Sequence, residues 1–448
     1  MPGTIFAGLL LALQVFQPHL TRPAFDRMIV IAAGWVLTTA SKRAITEALV
    51  VTGVAGKRHH EAFHRFFSRG TWNPDHLGMS LIFKLRGLGM PLRFVLDDTL
   101  AGKKGALVYG NCSHLDPVRS TKAFRVFTFG HCWVVLCMIV DVPFSRRPWA
   151  LPVLFRLYRS VKDCERKGCV YRKKTELGRE LVDMVADWLG NERIELAADC
   201  AYCNSTLLDG LAKRVVLFGS MRPDAVLTDL PEPQPRSRKG GRPACRGRVL
   251  PKPQELAADP SVPWSKCHAT LYRQKRTVEY KSMRAQWYRG AGTRMVLVVI
   301  TRCWTGNIPW RVYFCTDPNV SVRGLLEGYS RRWSIEVAFR ELKQQFGFAD
   351  SCARCKNAVL RTAPFIAMLY TTLVIWFLEV GHKTALATPP TRPWYPHKQQ
   401  LCFHDILRAA RRALAQSDVL VPSFQFDKLR KPSTGTRKGQ RARIPIAA

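Results

Sequence analysis

The residues of this chain best suited to chemistry lie between positions 329 and 343. Read as one helix, that stretch carries Tyr329, Arg332, Glu336 and Lys343 at offsets 0, 3, 7 and 14. At about 100° per residue the four fall within an arc of roughly 60°. A carboxylate flanked by two cations and a phenol makes a poor core surface but suits a site that holds a metal ion and grips phosphate. Other acids stand at the ends of strand-like runs: Asp97 and Asp98 after Arg93, Phe94, Val95 and Leu96, and Asp199 after Ile194 to Ala198. One acid at a strand end is ordinarily a turn former. Three carboxylates converging from different elements are hard oxygen ligands of the kind Mg²⁺ takes. Two such ions about 4 Å apart can activate an attacking oxygen and stabilise the leaving one on a phosphodiester. Adjacent strand residues face opposite ways, so only one of Asp97 and Asp98 is expected to join the metals.

The elements that must position these acids follow from patterning. Residues 1–88 read as helical with a basic edge at Lys57, Arg58, His59 and His60, either a DNA-binding module or a packing cap. Strands are expected at Arg93–Thr99, Ala106–Tyr109 and Phe124–Val140, joined as an antiparallel meander. A helix is expected near Lys174–Leu189, with apolar residues at Leu177, Leu181, Met184, Val185 and Leu189, and then the strand that ends at Asp199. Meander, helix and strand begin a mixed α/β sheet. Residues 205–320 read as a β-rich insertion with a basic Pro-rich loop from Pro231 to Pro243. A long helical stretch runs to about Val380, and the tail beyond Pro422 reads as a basic arm. The expected division is 1–88, helical and DNA-binding; 89–204 with 321–380, catalytic core; 205–320, insertion; 381–448, C-terminal helix and basic tail.

Composition narrows the partner. The 448 residues hold 69 Lys and Arg against 33 Asp and Glu, a net +36 spread through folded-looking sequence as well as tails. Such a field draws polyanions, nucleic acid above all. The 14 cysteines are scattered and no basic segment precedes the apolar run 4–18, so a cytosolic chain with reduced thiols is expected. The pairs Cys200/Cys203 and Cys352/Cys355 lie too far apart for a zinc ribbon. The apolar runs 4–18, 126–140 and 363–378 each fall short of a membrane span and read as core elements; no membrane partner is expected.

On these residues the chain resembles the DDE transposases of insertion sequences, in the IS4-related group that includes the IS701 family. Tyr329, Arg332, Glu336 and Lys343 match that group's last catalytic helix without a gap; Asp97-Asp98-Thr99 and Asp199-Cys200-Ala201-Tyr202 resemble its first- and second-acid motifs. The similarity covers roughly residues 40–410. It implies an α/β, RNase H-like mixed-sheet core with a β-rich insertion, preceded by the helical domain. It implies metal binding and catalysis by Asp98, Asp199 and Glu336, with Asp97 as the alternative to Asp98, since relatives often have Asp followed by Thr. It implies DNA contacts from Tyr329, Arg332 and Lys343. The expected activity is cut-and-paste transposition: two Mg²⁺ ions (or Mn²⁺ in their place), terminal inverted repeats and target DNA as partners, a homodimeric synapse, and a cytoplasmic, nucleoid-associated location. The rival readings are a repurposed transposase that binds DNA without cutting, and a nuclease that cuts without joining. Lys103, Lys104, His114 and Asp116 are secondary candidates, and Trp287, Trp304, Trp310 and Trp333 read as core.

Overall fold

The computed structural model describes residues 2–116, 119–231, 244–302, 310–389, 392–394, 398 and 400–415. Most of the Pro-rich loop, Trp304 and the basic tail lie outside the described residues. Five helices open the chain: α1 (Pro2–Gln14), α2 (Arg22–Leu37), α3 (Ile45–Val51), α4 (Glu61–Ser68) and α5 (Pro74–Gly87). Their apolar faces are narrow and deeply used. Phe63, Phe66 and Phe67 on α4 repeat at helical spacing and are all buried. Asn73 caps α5 through its side chain, which accepts from the Asp75 backbone N–H.

The sheet begins with β1 (Arg93–Gly102), β2 (Cys112–Leu115), β3 (Phe127–Val142) and β4 (Ser145–Tyr158). Helices α6 (Val161–Lys167) and α7 (Lys174–Leu189) lead to β5 (Ile194–Ala198), then α8 (Ser205–Leu208) and β6 (Val215–Ser220). Next come α9 (Pro253–Ala258), β7 (Ser265–Leu271), β8 (Gln274–Gln286), α10 (Tyr288–Ala291), β9 (Met295–Arg302) and β10 (Trp310–Cys315). The chain closes with α11 (Val322–Ser330), α12 (Trp333–Gln345), α13 (Lys356–Glu379) and α14 (Phe403–Ala415). Among the described residues one sheet runs β2-β3-β1-β5-β6-β10-β9-β8-β7, with β4 also on β3. Its centre is β4-β3-β1-β5-β6: β1 lies antiparallel to β3 and parallel to β5, and β5 lies parallel to β6. The long connection through α7 makes the parallel step from the first strands to β5 possible.

Several expectations are corrected here. Ala106–Tyr109 is not a strand: Gly105 and Gly110 sit at φ 105° and 69°, and the chain turns there, so the second strand starts at Cys112. The strands do not form a simple meander, because β3 pairs with β1, β2 and β4 alike. β4 has no counterpart in the sequence reading; Arg146, Arg147, Pro148 and Pro152 interrupt its apolar run, and β3 carries a register shift at Leu136/Cys137 to accommodate it. The strands within 205–320, expected as a β-rich insertion, join the same sheet through the β6–β10 pairing. Residues 1–88 contribute to the larger hydrophobic core, which runs from Leu9 to Leu414, and a smaller cluster around Val216, Val299 and Leu325 lies apart from it.

β3 is buried from Gly130 to Val140, because helices cover both faces of the sheet around it. On one face Arg156 of β4 ties α5 to α7, bonding Asp75 at 2.8 Å and Glu180 at 2.7 Å. On the other, Thr371 of α13 donates to the Pro152 carbonyl at 2.8 Å, and Arg147 pairs with Glu341 of α12 at 2.6 Å. α13 is long and apolar enough to cross a bilayer, yet it is the buried central helix of this core.

Candidate active site

β1 and β5 run parallel with Leu96 opposite Ala198. Asp97 continues β1 past this pair and Asp199 follows the last residue of β5, which brings the two carboxylates close enough for each to feel the other's charge. Asp97 lies on the side covered by α12. Arg332 reaches down to Asp97, its Nη1 3.0 Å from Oδ2, and also lies 3.4 Å from Glu336 Oε1. Asp97 Oδ1 accepts the Asp98 backbone N–H at 2.8 Å. Asp199 opens a turn in which its Oδ1 accepts the backbone N–H groups of Ala201 and Tyr202 at 2.9 and 3.3 Å. Glu336 is exposed, whereas Asp97 and Arg332 are mostly covered.

The helix that carries Glu336 is broken. α11 ends at Ser330, and Arg331 and Arg332 keep right-handed backbone angles but bond at closer spacing, Arg332 N–H to the Tyr329 carbonyl and Ile335 N–H to that of Arg332. The single helix expected over 329–343 is therefore two, with Tyr329 on the first and Glu336 and Lys343 on the second. Tyr329 points its hydroxyl to Ser220 Oγ at 3.3 Å, its ring lying 4.8 Å from that of Tyr313. Trp333, expected in the core, is 55% exposed, because the break turns the first residue of α12 outward beside Tyr272.

Asp98 faces the other way and holds three donors. Its Oδ2 accepts from Lys174 Nζ at 2.7 Å and from Cys132 Sγ at 3.2 Å, and its Oδ1 from the Tyr202 hydroxyl at 3.0 Å. Lys174 begins α7, and Tyr202 closes the Asp199 turn. Asp98 thus clamps three elements together on the face away from α12. A methyl group at Gly178 of α7 would lie 2.7 Å from Leu96 Cδ2, so the helix approaches β1 closely only because that position is glycine. Removing one hydroxyl from the clamp should be felt as stability. Tyr202→Phe is expected to cost about 1.5–3 kcal/mol, the range for a hydrogen bond to a buried charge. Urea unfolding would check it; an unchanged midpoint would mean that Tyr202 holds nothing.

The electrostatics separate the two adjacent acids. Burial, and then the nearby Asp199 carboxylate, push Asp97 up from 3.8 to about 7. Arg332 is raised even though burial works against its charge, because Tyr329, Asp97, Glu336 and Asp199 all favour it. Burial lowers Lys343, against the pull of Asp116, Cys132, Glu336 and Asp98. Among the described residues no three His, Cys, Asp or Glu side chains are close enough to share a metal ion. Arg332 is the cation that now lies between Asp97 and Glu336.

A family model described as DDE superfamily endonuclease matches residues 15–293, well over half of the chain. The chain belongs to this family. The match contains Asp97, Asp98 and Asp199 and ends before Glu336. No curated protein matches the chain. Among solved structures it is similar to the piggyBac transposase in a synaptic complex with hairpin DNA, at 11% identity and a TM-score of 0.44, over 95% of this chain and 82% of that one. That likeness is too distant to bear on fold or function.

In this DDE endonuclease the secondary candidates have distinct fates. Lys103 is tied down, its Nζ donating to the Ala349 and Ser351 carbonyls at 2.6 and 2.7 Å, and burial lowers it to about 8. His114 is buried against the Gly130 carbonyl at 3.2 Å. Trp287 packs edge-on to Phe314, and Trp310 is partly buried against the core. The described cysteines are all free thiols. Lys174 and Cys132 escaped the sequence reading; neither sits in a recognisable motif, and only strand pairing and the start of α7 bring them to Asp98.

Proposed function

We propose that this DDE endonuclease is a cut-and-paste DNA transposase of the IS4-related type, with Asp97, Asp199 and Glu336 as its catalytic acids. The observation that carries the assignment is Asp97 on β1 beside Asp199 at the end of the parallel β5, with Arg332 linking Asp97 to Glu336. It favours Asp97 over Asp98, which is held by Lys174, Tyr202 and Cys132 on the opposite face. The strand order β4-β3-β1-β5-β6, antiparallel then parallel, supports an RNase H-like core.

The donor types suit a divalent metal, although in this arrangement Arg332 lies between Asp97 and Glu336 and the three carboxylates are not gathered closely enough to share an ion. All three side chains offer hard carboxylate oxygens, and burial, then the nearby Asp199 carboxylate, raises Asp97 to about 7, a penalty that a bound cation would relieve. When bound, Mg²⁺ or Mn²⁺ at Asp97, Asp199 and Glu336 supplies Lewis acidity to the phosphodiester and its attacking oxygen. The chain's own residues do the rest. Arg332, drawn to carboxylates in this state, is placed to exchange them for a DNA phosphate, to which a guanidinium binds in the same forked manner. Lys343, exposed on α12, adds a second phosphate contact, and Tyr329 stiffens the approach by packing at a tilt against Tyr313. Asp98 holds the ends of β1 and the Asp199 turn at a fixed separation. The surplus of positive charge draws the terminal repeats and the target duplex. A dimeric synapse and a nucleoid-associated location belong to the same reading.

The test is cleavage of labelled DNA carrying the element's flanking ends, with Mg²⁺, by the intact chain and by Asp199→Asn. End cleavage followed by joined products, from the intact chain only, is the expected result. Binding without cutting in both would favour a repurposed DNA-binding protein, and cutting without joining a plain nuclease.

A further inference from the structure

On the β2–β3 hairpin the usual polarity of a sheet is inverted. Its inward positions are Cys112, His114 and Thr128; the imidazole of His114 is buried and lies 5.8 Å from the Tyr158 ring. Its outward positions should be polar, but beside Ser113, which pairs with Phe129, they hold Leu115, Phe127 and Phe129. Leu115 pairs directly with Phe127, and Phe129 follows two residues on along the same face. The phenyl groups are each 62% exposed and Leu115 is 48% exposed, with Phe124 at 68% just before the strand. Single exposed apolar residues are commonplace; a run of them on one ribbon marks a contact surface.

The rim of that surface says what it contacts. Arg119, Lys122 and Arg125 are exposed around the turn. Asp116 is the sole acid from 112 to 129, and its carboxylate is occupied by the Arg119 N–H and the Thr128 hydroxyl. A second copy of this chain would bring the same cations face to face, on a molecule already at +36. A phosphate backbone complements them instead. The root of the hairpin adjoins the active site: β3 pairs with β1 through Val135 and Asp97, and Lys343 of α12 lies within electrostatic reach of both Asp116 and Glu336.

We propose that the β2–β3 hairpin is a DNA-binding arm, in which Leu115, Phe127 and Phe129 wedge against base steps of the duplex next to the active site while Arg119, Lys122 and Arg125 hold its phosphates. Apolar side chains pushed into a groove unstack and bend DNA, and basic neighbours anchor them there. The surface rests on the transposase reading above for its substrate but involves none of the acids.

The experiment uses the full chain and a 30-base-pair duplex carrying 2-aminopurine, with binding, fluorescence and end-to-end energy transfer read at several salt concentrations. Phe127→Ser with Phe129→Ser is expected to weaken binding roughly ten-fold or more and to abolish both the 2-aminopurine signal and the bend, with the salt slope unchanged. Lys122→Ala with Arg125→Ala is expected to flatten the salt slope by about two. Because these side chains point to solvent, both variants should keep the parent's melting temperature. Unaltered affinity and bend in the Phe variant, or a Phe variant that loses only self-association in sedimentation, would overturn the proposal. If the parent chain binds no DNA at all, the transposase reading falls with it; if the parent binds and cuts and the Phe variant matches it, only the hairpin arm falls.

Discussion

At pH 8, Asp97→Asn is expected to be more stable than the parent chain while losing DNA cleavage. Asp97 is held at about 7 against an ordinary 3.8, chiefly by burial and then by Asp199. Below pH 4 the acid is protonated in both folded and unfolded chains and costs nothing. Between 4 and 7 the unfolded chain ionises first, so the folded state loses ground as pH rises. Above 7 the full penalty is present, roughly 4 kcal/mol as an upper value. Asparagine removes that penalty but also the charged contact to Arg332, so a net gain of about 2 kcal/mol is expected. Thermal melts at pH 8 and pH 5 would show it as a rise in Tm of a few degrees that shrinks at the lower pH. Mg²⁺ should raise the parent's Tm at pH 8 and leave that of Asp97→Asn unmoved. A variant less stable than the parent at pH 8 would mean that Asp97 is a structural acid.

Arg332→Ala should divide metal binding from catalysis. In the free protein the Arg332 guanidinium balances Asp97 and Glu336, and an incoming divalent ion must compete with it. Deleting it leaves those carboxylates uncompensated, so Mn²⁺ affinity measured calorimetrically without DNA is expected to rise several-fold. Cleavage is expected to fall by about a hundred-fold or more, the scale seen when a charge stabiliser at a reacting phosphate or carbonyl is lost. Lys at this position keeps the charge but not the fork, and should recover little. Metal affinity that falls in Arg332→Ala would place the arginine in support of the site and not in competition with the metal.

How far these residues were legible beforehand depended on whether local pattern or pairing decides them. The helix at Lys174–Leu189 and the strand ending at Asp199 show plainly in the sequence, because apolar periodicity and a terminal acid mark each without reference to anything distant. The choice between Asp97 and Asp98 was not legible. Our proposal of Asp97 in place of Asp98 rests on the alignment of Leu96 with Ala198, a register set by contacts about a hundred residues apart, and a shift of one residue would exchange their faces. β4 was hidden by its own charges and prolines; it tolerates the prolines because it pairs with β3 alone, and the charges because Arg147 and Arg156 find carboxylate partners. The break at Arg331 and Arg332 leaves the helical spacing of Tyr329, Arg332, Glu336 and Lys343 intact while shifting their directions. Trp333 is exposed for the same reason.

The most direct measurement is metal-dependent cleavage by Asp97→Asn and Asp98→Asn, side by side, on DNA carrying the element's end. The expected result is no detectable cutting by Asp97→Asn, with Asp98→Asn folded, less stable and still able to cut. An Asp97→Asn chain that cuts while Asp98→Asn does not would contradict the assignment of Asp97 to the catalytic acids.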